Sequence, residues 1–190
     1  MSVIEFILIG IGLAMDAFAV SICKGLGMTK INPLHCVIIA AFFGGFQFIM
    51  PVIGWALGRQ FESYIQSVDH WIAFGLLAFL GLKTILEAVR EKDEECVEKT
   101  ESVLDIKELF LMAIATSIDA LAVGITFAFL QVRILEASGI IGIVTFIICV
   151  FGVFVGNIFG SRFKKKAAVA GGVILILIGA RILLDHLGVF

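Results

Sequence analysis

The sequence predicts an all-α membrane protein of six transmembrane helices, arranged as two inverted-topology repeats of three helices each. Three observations carry this. The 190 residues are 61% hydrophobic with a mean hydropathy of +1.12. Only 16% are charged, well below the roughly 25% of a soluble domain. And a short motif with one aspartate occurs twice, MDAFAVS at 15–21 and IDALAVG at 118–124, 103 residues apart.

Each predicted helix is an apolar run near the 20 or so residues that cross a hydrocarbon core: 3–22, 37–57, 71–89, 109–130, 137–158 and 167–187. Little chain remains for a soluble domain. The first run lacks the basic start of a secretion signal, having Glu5 there, and it contains Asp16, so it reads as a mature helix. The organisation expected is a first repeat over 1–89, an acidic linker over 90–108 and a second repeat over 109–190. The linker carries eight acidic and four basic residues, and reads as a solvated connection or as a cation-attracting antechamber.

Further echoes support the repeat. GWALGRQF (54–61) matches GNIFGSRF (156–163) at an offset of 102, and GLKTILE (81–87) matches GARILLD (179–185) at 98. Three is an odd number of crossings, so the second copy enters from the opposite face, as in secondary transporters whose sites lie at the repeat interface near the midplane. With six crossings, one side collects Lys24, Lys30, Arg90, Lys92, Lys99, Lys107, Arg162, Lys164, Lys165 and Lys166, the other only Arg59 and Arg133. The positive side is cytoplasmic. Both termini and the loops after helices two and four are therefore expected outside, and the central linker inside.

An aspartate at a membrane-helix centre costs roughly 2.5–3.5 kcal/mol on insertion scales and marks a functional position by default. Helical spacing puts Gly12, Asp16, Ala19 and Cys23 on one stripe, with Ala115, Asp119, Ala122 and Thr126 at the equivalent places. Small residues let backbones approach closely, so stripes facing across the repeat axis bring Asp16 and Asp119 together. Two bare carboxylates cannot both stay ionised in a low dielectric; they need a divalent cation, or protons. A structural pair sharing a proton, or bonded to Ser117 and Thr116, is the alternative.

Helix two carries Gln47 and, one turn later, Pro51. Proline frees the Gln47 carbonyl, so Gln47 offers two oxygens to a cation; a packing kink is the plainer reading. Asn157, in the matching helix five, is the fourth candidate ligand. Lys83/Glu87 and Arg181/Asp185 are opposite charges four apart, neutralising pairs or a gate. The four cysteines make no C-x-x-C pair and read as packing residues. The three histidines form no ligand cluster, and no basic, aromatic-interleaved surface for nucleic acid is evident. Oxygen ligands without clustered thiolates or imidazoles suit Mg²⁺, Ca²⁺ or Mn²⁺.

At AMDAFAVS, MPVIGWALG, HWIAFGLL and ATSIDALAVG, the chain resembles, end to end, the bacterial manganese efflux pump family (MntP), a small inner-membrane family related to the lysine exporter superfamily. The resemblance implies Mn²⁺ export, with no enzymatic activity and no cofactor, and carries the family's membrane aspartates onto Asp16 and Asp119. Some members have an acid where this chain has Gln47, so a third carboxylate is absent here. With no G-x-x-x-x-G-K-[ST] loop, proton antiport on the paired aspartates is the coupling expected. Other readings are a same-fold exporter of another divalent cation or an amino acid, and an intramembrane aspartyl protease, whose two carboxylates share a proton.

Overall fold

The protein is described here from a computed structural model that covers residues 2–28, 30–60 and 105–159, with single residues between 74 and 86 and between 169 and 184, each helical. The third and sixth predicted spans, the linker over 90–104, Glu87 and the Arg181/Asp185 pair lie largely or wholly outside the described residues. Within them the chain is helical, with no strand, and four stretches are long and apolar enough to cross a membrane.

Helix α1 (Val3–Gly27) opens on a capping box in which Ser2 and Glu5 satisfy one another's amides. Helix α2 (Pro33–Arg59) starts with the Asn32 side chain accepting from Leu34 N–H and with proline at its first position. The fourth span is two helices in sequence, α3 (Ile106–Thr116) and α4 (Ile118–Phe129), and α5 (Ile134–Phe159) follows a short turn. Asp105 caps α3 through Lys107 and Glu108 N–H, so the acidic stretch read as linker gives its last residues to that helix.

Glycines set which helices meet. A Cβ on Gly54 would run into Leu121 O, and one on Gly58, a turn later, would stand 3.0 Å from Ile125 O; on α5, Gly152 lies against Phe18 O (3.1 Å) and Gly156 against Ile22 O. Both ladders advance together, so α2 runs parallel to α4, and α5 parallel to α1. Between the pairs, α2 crosses α5 antiparallel. A Cβ on Gly44 would stand 2.9 Å from Gly142 O and 3.0 Å from Phe146 Cβ, and one on Gly142 would stand 2.9 Å from Gly44 O and 3.0 Å from Phe48 Cβ. Gly44 and Gly142 are 98 residues apart.

The core is split. One apolar cluster joins Phe6, Ile9 and Leu13 with Ala120, Val123, Phe127, Ile134, Ala137 and Ile141. The other joins Ala17 with Cys36, Ile39, Ala40, Phe43, Leu109, Ala113, Cys149 and Val153. Cys36 and Cys149 are buried free thiols, as packing residues should be, whereas Cys23 is disulfide-bonded and so departs from that expectation.

Candidate ion site

The gap between the two clusters is polar. On α1, Asp16 falls between Leu13 of one cluster and Ala17 of the other; on the fourth span, Ser117 and Asp119 fall between Ala113 and Ala120; on α2, Gln47 follows Phe43; on α5, Thr145 lies between Ile141 and Cys149. Each of these residues is near the middle of its helical stretch.

The break between α3 and α4 shapes the site. Ser117 has φ −110° and ψ 7°, outside helical values, and its Oγ donates to Ala113 O (2.6 Å) and Ile114 O (3.1 Å), with Thr116 Oγ1 also donating to Ala113 O (3.3 Å). Two adjacent hydroxyls drawing on the preceding carbonyls compete with the backbone ladder and open the turn. Ala120 N–H then turns to Asp119 Oδ1 at 2.8 Å, which fixes that carboxylate in the first turn of α4, where the helix dipole favours negative charge.

Gln47 ties the two aspartate segments together. Its Nε2 donates to Leu13 O (3.2 Å), one turn before Asp16, and to Thr116 O (3.4 Å), one turn before Asp119. These carbonyls are 103 residues apart, the spacing of the aspartates themselves. Gln47 is fully buried and its Oε1 has no hydrogen-bond partner; its backbone oxygen also lacks the helical donor that Pro51 cannot supply. Asp16 and Asp119, both half-buried, are near enough for the charge of Asp16 to act on Asp119, as does that of Lys83.

Three of the four residues expected to hold a metal, Asp16, Asp119 and Gln47, are thus gathered at one level. Asn157 is elsewhere. Its Nδ2 donates to Met28 O (2.8 Å) and Gly25 O (3.2 Å), closing the end of α1 about 13 Å along that helix from Asp16 at 1.5 Å per residue. Among the described residues no three His, Cys, Asp or Glu side chains gather.

The contrast between the two amides is testable. Gln47→Leu leaves Thr116 O without its amide donor, an expected cost of about 1–2 kcal/mol, and should weaken Mn²⁺ binding, whereas Asn157→Ala should lower thermal stability and leave Mn²⁺ affinity at the parent value. Calorimetric titration and unfolding in detergent measure both.

A family model described as "Putative manganese efflux pump" matches residues 30–183. A protein of Acetivibrio thermocellus named "Putative manganese efflux pump MntP" is 52% identical over 190 residues, covering all of this chain and 94% of its own length. Proteins of the same name from Clostridium perfringens strain SM101 (49% over 207 residues, all of this chain and 97% of the relative) and Desulfitobacterium hafniense strain Y51 (52% over 185 residues, 97% and 96%) are similarly close. No solved structure matches the chain.

Proposed function

Because the chain belongs to the manganese efflux pump family (MntP), we propose that it is a secondary transporter that exports Mn²⁺ from the cytoplasm through a midplane site made by Asp16, Asp119 and Gln47. The observation that carries this reading is the Gln47 amide bridging Leu13 O and Thr116 O, which holds two distant aspartate segments together at midspan.

The inverted repeat belongs to the same proposal. It is supported by the two parallel pairs, α1 with α5 and α2 with α4, which exchange under the offsets of 103 and 98, and by the reciprocal contact of Gly44 and Gly142. Since α2 and α4 run the same way, the chain between them has to return across the bilayer once, which accounts for a third span. The ends of α1 and α5 and the start of α3 share one face, as the Lys24–Glu108 ion pair (2.9 Å) and the Asn157 bonds to α1 indicate. Lysines 24, 30 and 107 are on that face, so it is assigned to the cytoplasm, with the central linker inside and both termini outside the cell membrane.

Moving a divalent cation out against an inside-negative potential costs about 4.6 kcal/mol per 100 mV, at roughly 2.3 per charge. A passive pore cannot supply this. Exchange of two protons for one Mn²⁺ on the aspartate pair is electroneutral and removes the voltage term, and carboxylates facing one another in low dielectric carry either the ion or protons. Flux of ⁵⁴Mn into inside-out vesicles is the test. Uptake should rise with an acid-inside gradient and should be insensitive to a potential set alone; uptake indifferent to the pH gradient would remove the proton coupling. A tag placed within 90–104 should be labelled only after permeabilisation, and labelling in intact cells would reverse the orientation.

A further inference from the structure

The midspan layer contains a side chain that neither the motif nor the family resemblance picks out. Thr145 is fully buried near the middle of α5, and its Oγ1 has no hydrogen-bond partner. A hydroxyl on a helix ordinarily turns back to the carbonyl one turn earlier, as Ser21 does to Ala17 O (2.8 Å) and Thr126 to Ala122 O (3.3 Å). An unbonded hydroxyl in a dry interior is costly, so its persistence calls for a ligand.

Two relations place Thr145 at the ion site. A Cβ on Gly10 would stand 3.3 Å from Ile141 Cα and from Val144 Cβ, and one on Gly152 would stand 3.1 Å from Phe18 O; Thr145 falls between these contacts on α5, as Leu13 and Asp16 do on α1. And Thr145, like Gln47, sits between the apolar clusters, where the aspartates are.

We propose that Thr145 is an ion ligand: with Gln47 Oε1, its Oγ1 supplies a neutral oxygen to the divalent cation held by Asp16 and Asp119. This rests on the midplane-site reading above. A hard divalent ion such as Mn²⁺ takes an octahedral set of oxygens. Two carboxylates cancel its charge but fill only part of that shell, and no third acidic side chain gathers among the described residues. Among the described residues, Gln47 Oε1 and Thr145 Oγ1 are the buried side-chain oxygens at this level that no protein donor claims. Ser138 provides the comparison. Its hydroxyl is as buried and as unpartnered, but it lies two turns away, between Ala137 and Ile141 of one apolar cluster.

The experiment is Mn²⁺ titration of the purified full chain at fixed pH, read by calorimetry or by the paramagnetic signal of free Mn²⁺. Thr145→Val should bind about tenfold or more weakly, the scale set by loss of groups supporting a metal site, while the thermal unfolding of the metal-free protein is unchanged or raised. Thr145→Ser and Ser138→Ala should bind like the parent. Parent-like binding by Thr145→Val while Asp16→Asn is impaired would overturn the ligand assignment and leave the site standing; parent-like binding by Asp16→Asn as well would overturn the site. Equal weakening in Thr145→Val and Ser138→Ala, or in Thr145→Val and Thr145→Ser, would show that the hydroxyl at this position is not what the ion reads.

Discussion

Asp16→Asn and Asp119→Asn are each expected to abolish Mn²⁺ export while the protein still inserts and folds. Asparagine keeps the shape of the side chain, and at 119 its Oδ1 still accepts from Ala120 N–H, so the break before α4 survives. What disappears is one of two negative charges opposite a divalent ion. Leaving a buried charge uncompensated costs about 3–5 kcal/mol, or roughly two to four orders of magnitude in affinity. Growth of an export-deficient host in excess Mn²⁺, with immunoblotting of the membrane fraction, measures both. Full resistance from either variant would remove that aspartate from the site.

Much of this site was legible in the sequence, for a physical reason. A carboxylate in an apolar run is expensive enough that its appearance is information, and its recurrence at 103 residues ties Asp16 to Asp119 before any coordinates. Gln47 stands out only through Pro51 one turn later, and a packing kink reads the same way. Four helical spans also followed from run length alone; the starts of the second and fourth lie earlier than their runs, at caps Asn32 and Asp105 that a hydropathy window cannot detect. The break at Ser117 was hidden because Ser and Thr are tolerated in a membrane helix; only the direction of their hydroxyls decides between back-bonding and rupture. The place of Asn157 was not legible, because an amide that closes a helix end and an amide that binds a cation look identical in one dimension.

Gly54→Ala is expected to cost the folded state several times what an alanine in a helix contributes, while Gly45→Ala, nine residues earlier on the same helix, is expected to be neutral or stabilising. Intrinsic propensity favours both substitutions by up to about 1 kcal/mol. The surroundings decide the difference. A Cβ at Gly54 would overlap Leu121 O and stand 2.9 Å from its carbonyl carbon, and this is backbone of α4, which cannot rotate away; at Gly45 nothing lies within 4 Å. Relief requires α2 and α4 to separate along the whole ladder that includes Gly58 on Ile125 O and Gly124 on Pro51 O, and overpacking of this kind costs about 1–3 kcal/mol or more. Separation has a functional consequence besides. The ladder aligns α2 with the fourth span, and Gln47 reaches Thr116 O across that interface at 3.4 Å, so a displacement of even 1 Å breaks the bridge at the site. Unfolding of the two variants in detergent, alongside Mn²⁺ titration, gives both readouts. Gly54→Ala should lose stability and Mn²⁺ affinity together, and a Gly54→Ala protein that melts with or above Gly45→Ala would mean that α2 and α4 are not packed backbone to backbone.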